Sequence, residues 1–123
     1  MKKILIVEDE TSLRKALVGK LSREGFSALE AVNGKEGLAI ALKEHPDLIL
    51  LDIIMPVMDG ITMLEKLRTN QWGQEVPVVI LTNLSDSKTL ADALRYGSHD
   101  YLVKTNWQIS EVVKLVKTKL KIK

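Results

Sequence analysis

Apolar positions along the chain follow two alternating spacings. Five short runs rich in β-branched residues predict strands at residues 4–7, 26–32, 47–51, 76–81 and 100–103. The segments 4–7, 48–51 and 78–81 are continuously apolar, which is typical of strands buried on both faces of a parallel sheet. Between the runs, apolar residues recur with the period of a helix. The alternation predicts an α/β domain, a doubly wound (βα)₅ fold with a five-stranded parallel sheet.

The helical stripes lie between the predicted strands, and turn residues mark their ends. Gly25 and Gly97 suit left-handed helix caps, Asn33-Gly34 predicts a turn, and His45-Pro46 ends the second helix. The stripes themselves are Leu13, Ala16, Leu17 and Leu21; Leu38, Ala41 and Leu42; Ile61, Leu64 and Leu67; Leu90, Ala93 and Leu94; and Ile109, Val112, Val113, Val116 and Leu120.

Composition narrows the class of protein. The 123 residues, 46% hydrophobic and 28% charged, suit one globular domain with a real core. The chain has no cysteine, which excludes a disulfide scaffold, a thiolate zinc site and a cysteine nucleophile. The apolar run after Met1 stops at Glu8, too short for a signal peptide, and no stretch approaches the roughly 18 apolar residues of a membrane span. We expect a single soluble, cytoplasmic domain over residues 1–123, with no output domain and no membrane contact.

Charge is distributed unevenly along the chain. The net charge of +2 combines −3 in residues 1–103 with +5 in residues 104–123, where Glu111 is the only acid among six lysines. We interpret the basic segment as the solvated face of a helix and expect no direct nucleic acid binding. A patch of one sign repels its own copy in a symmetric dimer, so we expect a monomer.

Chemically active residues stand where predicted strands end. In open α/β sheets ligands bind at the carboxyl ends of the strands. A cluster of carboxylates there suits a hard cation, Mg²⁺ or Mn²⁺, and a lysine and a hydroxyl beside it suit a phosphoryl group. A carboxylate at the centre would be both metal ligand and phosphoryl-accepting nucleophile. The residues concerned are Glu8-Asp9-Glu10, Asp52, Thr82 and Lys104.

The sequence resembles the receiver domain of two-component response regulators over nearly its whole length. The motifs that carry the likeness are Ile-Val-Glu-Asp-Glu (6–10), Leu-Asp-Ile-Ile-Met-Pro-Val-Met-Asp-Gly (51–60), Leu-Thr (81–82) and Gly-Ser-His-Asp-Tyr-Leu-Val-Lys (97–104). The resemblance implies the flavodoxin-like strand order 2-1-3-4-5. It also implies a histidine kinase or phosphotransfer protein as donor, and a downstream protein target.

The resemblance assigns a role to each matching position around the metal. Asp52 corresponds to the phosphoryl acceptor, and Asp9 to the acid that binds Mg²⁺ directly. Glu8 corresponds to the acid that acts through a metal-bound water, and the backbone carbonyl of Ile54 to a third ligand. Such a protein catalyses only its own phosphoryl transfer and dephosphorylation, so we expect no enzyme that acts on a separate substrate.

The same resemblance assigns the switch. Thr82 matches the switch hydroxyl, Lys104 the lysine that pairs with phosphoryl oxygens, and Tyr101 the rotating aromatic residue. Phosphorylation is then expected to remodel the face formed by the fourth helix, the fifth strand and the fifth helix. Met55-Pro56 and Asp59-Gly60 are expected to shape the loop structurally.

Departures from the family pattern surround the reacting groups without removing one. Thr105 stands where proline usually follows the lysine, so we predict a trans Lys104–Thr105 bond, since non-proline cis bonds cost about 2.5–4 kcal/mol. Asn83 and Ser98 replace small residues. The resemblance implies that Ile54 and Leu84 border the path of the attacking water, and because neither side chain can hydrogen-bond to a water, we predict a long-lived acyl phosphate.

Three other kinds of protein share this broad architecture with the phosphoryl switch. A phosphorylation-independent interaction module with this fold would have lost an acid, the nucleophile or the lysine, and this sequence keeps all of them. A phosphatase of the haloacid dehalogenase type needs a second acid two residues after its nucleophile, where Ile54 stands. A flavodoxin needs a phosphate loop after the first strand, where Glu8-Asp9-Glu10 would repel the phosphate.

Overall fold

Parallel strands form one sheet in the computed structural model, which describes residues 1–53, 55–82, 91, 95–96, 100–103 and 108–121. Their order is β2-β1-β3-β4-β5. The parallel α/β architecture and the order of the first four strands are confirmed, and β5 pairs in parallel with β4. The strands are β1 (Lys3–Val7), β2 (Ser27–Ala31), β3 (Leu48–Asp52), β4 (Val78–Thr82) and β5 (Asp100–Val103).

Within the described residues, helices follow β1, β2, β3 and β5. They are α1 (Thr11–Arg23), α2 (Gly34–Glu44), α3 (Gly60–Thr69) and a last helix (Ile109–Lys119), with a 3₁₀ turn at Trp72–Gln74. The helix predicted around Leu90, Ala93 and Leu94 falls almost wholly outside the described residues, so that part of the (βα)₅ fold stays a prediction. No helix in the described ranges has both the length and the apolar character needed to cross a bilayer.

The ends of these helices follow from local chemistry. Gly25 has a φ of +92° after α1, the left-handed conformation that glycine adopts at least cost. The Asn33 side chain accepts a 2.8 Å hydrogen bond from the Glu36 N–H and so caps α2. His45 ends α2 at a φ of +49°. The helix ends predicted at Gly25 and at His45-Pro46 are therefore confirmed, while Asn33-Gly34 begins α2 as its N-cap and first residue, and Gly97 lies outside the described residues.

The two faces of the sheet bury separate apolar clusters. Leu5, Val7, Ile49 and Leu51 point to the face covered by α2 and α3. Ile4, Ile6, Leu48 and Leu50 point to the other face, covered by α1 and the last helix. Successive strand residues are therefore buried on opposite sides, which explains the continuous apolar runs. With both faces covered, the ends of the strands and their loops are the positions left for a site.

Candidate functional site

Three carboxylates meet at the carboxyl edge of the sheet. Glu8 and Asp9 follow β1, and Asp52 ends β3. One oxygen of each side chain lies within 4.8 Å of the other two. Glu8 is 0% exposed and Asp52 4%, whereas Asp9 is exposed. An ion would therefore enter this cluster from the side of Asp9.

The pairing register of the strands brings these residues together. Val7 of β1 pairs with Leu51 of β3, so Glu8 and Asp52 leave the sheet at the same level. Asp52 in turn pairs with Leu81 of β4. Since neighbouring parallel strands run in the same direction, their carboxyl ends share one edge.

Hydrogen bonds fix the turn that carries the first two acids. The Glu8 N–H donates to the Ala31 carbonyl at 3.1 Å, and the Glu8 carbonyl accepts from Arg14 Nη1 at 3.0 Å. The Glu8 carboxylate oxygen Oε2 accepts from the Glu10 N–H at 3.1 Å. Both peptide groups next to Glu8 are thus held by neighbouring elements.

The loop after Asp52 returns to the end of β3 through a glycine. The Gly60 N–H donates to the Ile53 carbonyl at 2.8 Å. A Cβ atom at Gly60 would lie 2.8 Å from Ile53 Cα and closer still to the Asp52 carbonyl oxygen, so only glycine fits without a backbone shift. The Asp59 side chain caps α3 by accepting from the Thr62 N–H at 2.8 Å. The structural role expected for Asp59-Gly60 is confirmed.

Val57, in the same loop, has a strained backbone. Its φ is +69°, and the Met58 N–H closes a three-residue turn onto the Pro56 carbonyl at 2.7 Å. A β-branched residue rarely adopts a positive φ. Strain of this kind costs of order 1–3 kcal/mol and concentrates at functional sites. The loop that follows Asp52 therefore holds an unfavourable conformation on a residue that is 76% exposed.

The donor set of the cluster fits a hard divalent cation. Oxygens that bind one Mg²⁺ at 2.0–2.1 Å lie about 3–4 Å apart, so the spacing within 4.8 Å needs only small side-chain adjustments. Three like charges at this distance repel each other, and two of them have little access to water. A bound cation would neutralise that repulsion.

Comparison with known proteins identifies the family to which this fold belongs. The sequence profile of the response regulator receiver domain matches residues 4–117. The chain belongs to the response regulator receiver family. In two-component systems receiver domains have a general phosphoryl-accepting signalling role, and this receiver domain shares that role at the level of its family.

Solved structures and curated relatives agree with this assignment. A CheY-like receiver domain protein from Methanospirillum hungatei has a TM-score of 0.91 at 28% identity, covering 98% of this chain and 94% of that chain. The Vibrio cholerae chemotaxis protein CheY4 has a TM-score of 0.89 at 28% identity, covering 96% and 98%. A probable transcriptional regulator, ycf27 of Porphyridium aerugineum, is 40% identical over 102 residues, 83% of this chain.

The receiver domain spans only 41% of the length of that curated relative. The relative's name describes a transcriptional regulator, so the comparisons do not support the expectation that nucleic acid binding is absent. The extent of the domain, predicted as residues 1–123 without an output domain, stays a prediction.

The structure shows some of the predicted site residues in full, some by their backbone alone, and leaves others outside the described ranges. Glu8, Asp9 and Asp52 are brought together as expected. Thr82 ends β4 and its backbone pairs with Val103, and Tyr101 lies in β5, but the description of both is limited to the backbone. The other positions lie outside the described residues: Ile54, Asn83, Leu84, Ser98, Lys104 and the Lys104–Thr105 peptide.

Sequence reasoning missed an arginine next to the acids. Arg14 is 7% exposed and lies on the buried side of α1 with Leu17 and Leu21. Its Nε donates to Glu30 of β2 at 2.9 Å, beside the bond to the Glu8 carbonyl. The signal available in the sequence was its spacing. Arg14 lies three positions before Leu17 and seven before Leu21, so it falls on the apolar stripe of the helix.

Proposed function

We propose that this receiver domain is a phosphoryl-accepting switch in which Asp52 takes a phosphoryl group from a phosphohistidine donor. The observation that carries the proposal is the gathering of Glu8, Asp9 and Asp52 within 4.8 Å at the carboxyl edge of the sheet. The family supports it, since receiver domains act with histidine kinases. A phosphotransfer protein is the alternative donor.

Mg²⁺, or Mn²⁺, is the proposed cofactor. Glu8, Asp9 and Asp52 would hold it, with the backbone carbonyl of Ile54 as a further ligand by resemblance to the family. When bound, the ion supplies positive charge that neutralises the carboxylates and the phosphoryl oxygens. The buried carboxylates of Glu8 and Asp52 suit this role because oxygen ligands in a fixed, partly dry cleft favour a hard cation.

Asp52 is the proposed nucleophile. A carboxylate oxygen of Asp52 attacks the phosphorus atom, the phosphorus–nitrogen bond to the donor imidazole breaks, and that nitrogen retains the bonding electron pair. With the other ring nitrogen protonated in the phosphohistidine, the products are an aspartyl phosphate and a neutral imidazole. Asp52 is the last residue of β3, and the burial of all five residues of that strand holds its backbone in place.

Thr82, Lys104 and Tyr101 complete the proposed switch by resemblance to the family. Lys104 would pair with phosphoryl oxygens, Thr82 would move towards them, and Tyr101 would turn inward. The remodelled face, which includes the predicted fourth helix of the (βα)₅ fold, would then bind a downstream protein target. A local change of charge that biases a two-state surface is the usual logic of such switches.

The remaining expectations belong to the same proposal. The domain promotes only its own phosphorylation and dephosphorylation and does not turn over a separate substrate. It is a monomer when unphosphorylated, because the last helix carries lysines with Glu111 as its single acid. A cytoplasmic location is supported by the absence of cysteine, since small exported domains commonly depend on disulfides.

Labelling with a small phosphodonor tests the proposal. With Mg²⁺ and acetyl phosphate, the protein should gain one phosphoryl group, observed as a single mass increase that maps to Asp52. Asp52→Asn should lose the label entirely, and chelation of the metal should suppress it in the parent.

Asp47→Asn is the matched control. It makes the same substitution just before the other end of β3, where Asp47 accepts a hydrogen bond from the Lys3 N–H at 2.8 Å. This variant should label like the parent. Equal labelling of Asp52→Asn would contradict the proposal, and an unlabelled parent that still binds a partner would favour the phosphorylation-independent module.

A further inference from the structure

Arg14 places a nearly buried positive charge between the acidic turn and the edge strand. Burial of a guanidinium is costly unless its N–H groups have acceptors. Arg14 Nε donates to Glu30 Oε1 at 2.9 Å, and Nη1 donates to the Glu8 carbonyl at 3.0 Å. The side chain thus bridges β2 and the residue that follows β1.

The Glu8 carbonyl belongs to the peptide plane that leads into Asp9. Because that plane is rigid, a bond to its oxygen also fixes the position of the Asp9 nitrogen and Cα. The preceding plane is fixed by the 3.1 Å bond from the Glu8 N–H to Ala31. With both planes held, the backbone of Glu8 has little freedom, which sets the direction of the Glu8 Cβ and the position of the Asp9 Cα.

We propose that Arg14 is a positioning residue for the metal site: its bond to the Glu8 carbonyl holds the Glu8–Asp9 turn so that both carboxylates face Asp52. Glu30 keeps the guanidinium in place. This inference rests on the proposed function, because it assumes that the three carboxylates bind Mg²⁺.

The charge of Arg14 alone predicts the opposite effect. A cation beside the acidic turn repels Mg²⁺, so its removal would tighten metal binding if Arg14 contributed only charge. A positioning role predicts weaker binding, since the loss of groups that hold metal ligands typically reduces affinity about 10–100-fold. The sign of the change therefore separates the two roles.

Lys15 provides a matched control. Its Nζ binds the other carboxylate oxygen of Glu30 at 3.1 Å, and its side chain is 60% exposed. No contact from Lys15 to Glu8 is seen among the described residues. Lys15→Met therefore removes the same charge from the same acid without removing a bond to the acidic turn.

Calorimetric titration with Mg²⁺ alone, on the full chain, tests the inference. Arg14→Met should bind Mg²⁺ about 10–100-fold more weakly than the parent. Lys15→Met should stay within about twofold of the parent, since exposed charges are screened. Urea unfolding of each variant checks that the titrated protein is folded, because a purely structural role would lower stability and leave the affinity of the folded protein unchanged.

Arg14→Lys keeps the charge but lacks the planar fork that reaches two acceptors. It should show an intermediate loss of Mg²⁺ affinity, and it carries the test alone if Arg14→Met does not fold. Equal or tighter binding by the Arg14 variants would overturn this inference and leave the proposed function standing. A parent that binds no Mg²⁺ would overturn both.

Discussion

Carboxylates occur in this protein in two contrasting arrangements. At the carboxyl edge of the sheet, Glu8, Asp9 and Asp52 lie within 4.8 Å of one another. Elsewhere acids face cations: Glu24 lies 2.8 Å from Lys117, and Glu30 lies 2.9 Å from Arg14. One arrangement gathers three carboxylates at a single point, and the other sets each acid against a cation.

The difference separates structural acids from functional ones. The hydrogen bond from Lys117 lowers the pKa of Glu24, and the hydrogen bond from Arg14, followed by that from Lys15, lowers the pKa of Glu30. Both pairs therefore favour the folded state near neutral pH. Repulsion between gathered like charges lowers the stability of the folded state. Proteins commonly keep such destabilising clusters where a bound ligand relieves the repulsion.

Gly60→Ala should produce the largest change in stability, because it displaces the backbone that carries Asp52. Its Cβ would lie 2.8 Å from Ile53 Cα, so the backbone beside Asp52 must shift. We expect the free energy of unfolding, measured in urea, to fall by about 3 kcal/mol, with loss of Mg²⁺ affinity. Gly19→Ala in α1 meets its nearest side-chain atom at 3.4 Å and should instead stabilise by up to about 1 kcal/mol. Similar stability for the two variants would contradict the steric argument.

Asp52→Asn should stabilise the protein when the metal is chelated. Removal of one of three clustered charges relieves repulsion, and we expect a gain of about 1–2 kcal/mol in urea unfolding. Mg²⁺ at 100 times its Kd should reverse the order, because it adds about 2.7 kcal/mol to the parent and little to the variant. A variant that is less stable than the parent in chelator would show that the cluster does not oppose folding.

Glu30→Gln should have the smallest effect and the opposite sign. Because the pKa of Glu30 is lowered from 4.5 in the folded state, its ion pairs contribute stability above pH 4.5, which is lost as pH falls through the folded pKa. At neutral pH we expect a loss of less than about 1 kcal/mol, discounted because the side chain is 34% exposed.

Urea unfolding between pH 7 and pH 3 measures this effect. The gap between parent and Glu30→Gln should shrink with acid. Glu65→Gln, at an exposed position of α3, serves as the control and should show no such gap. A gap that persists at pH 3 would assign the effect of Glu30→Gln to packing rather than to charge.

The strands and the acids were predictable because their signals are local. A continuous apolar run such as residues 48–51 has few alternatives to a strand buried on both faces. Once the sheet is parallel, the residues that end β1 and β3 must be neighbours, and Glu8, Asp9 and Asp52 follow from that geometry.

Contacts to backbone atoms were not predictable in the same way. Arg14 binds a carbonyl oxygen, which every residue carries, so the position of its acceptor has no sequence signature. Val57 occupies a left-handed conformation that its own side chain disfavours, because loop closure between Pro56 and Met58 imposes it. The stacked rings of His45 and Trp72, 4.4 Å apart, come from two loops that only the complete fold brings together.

The apolar cluster under the last helix has a consequence for biosynthesis. Ile4 and Ile6 leave the ribosome about 100 residues before Val112, Val113 and Val116, yet all five share one cluster. At roughly 5–20 residues per second, that face of the nascent sheet waits on the order of 10 s for its last covering helix. The other face can close once α3 and β4 have emerged. One side of this receiver domain is therefore exposed to chaperones and to misassembly for longer than the other during every round of translation.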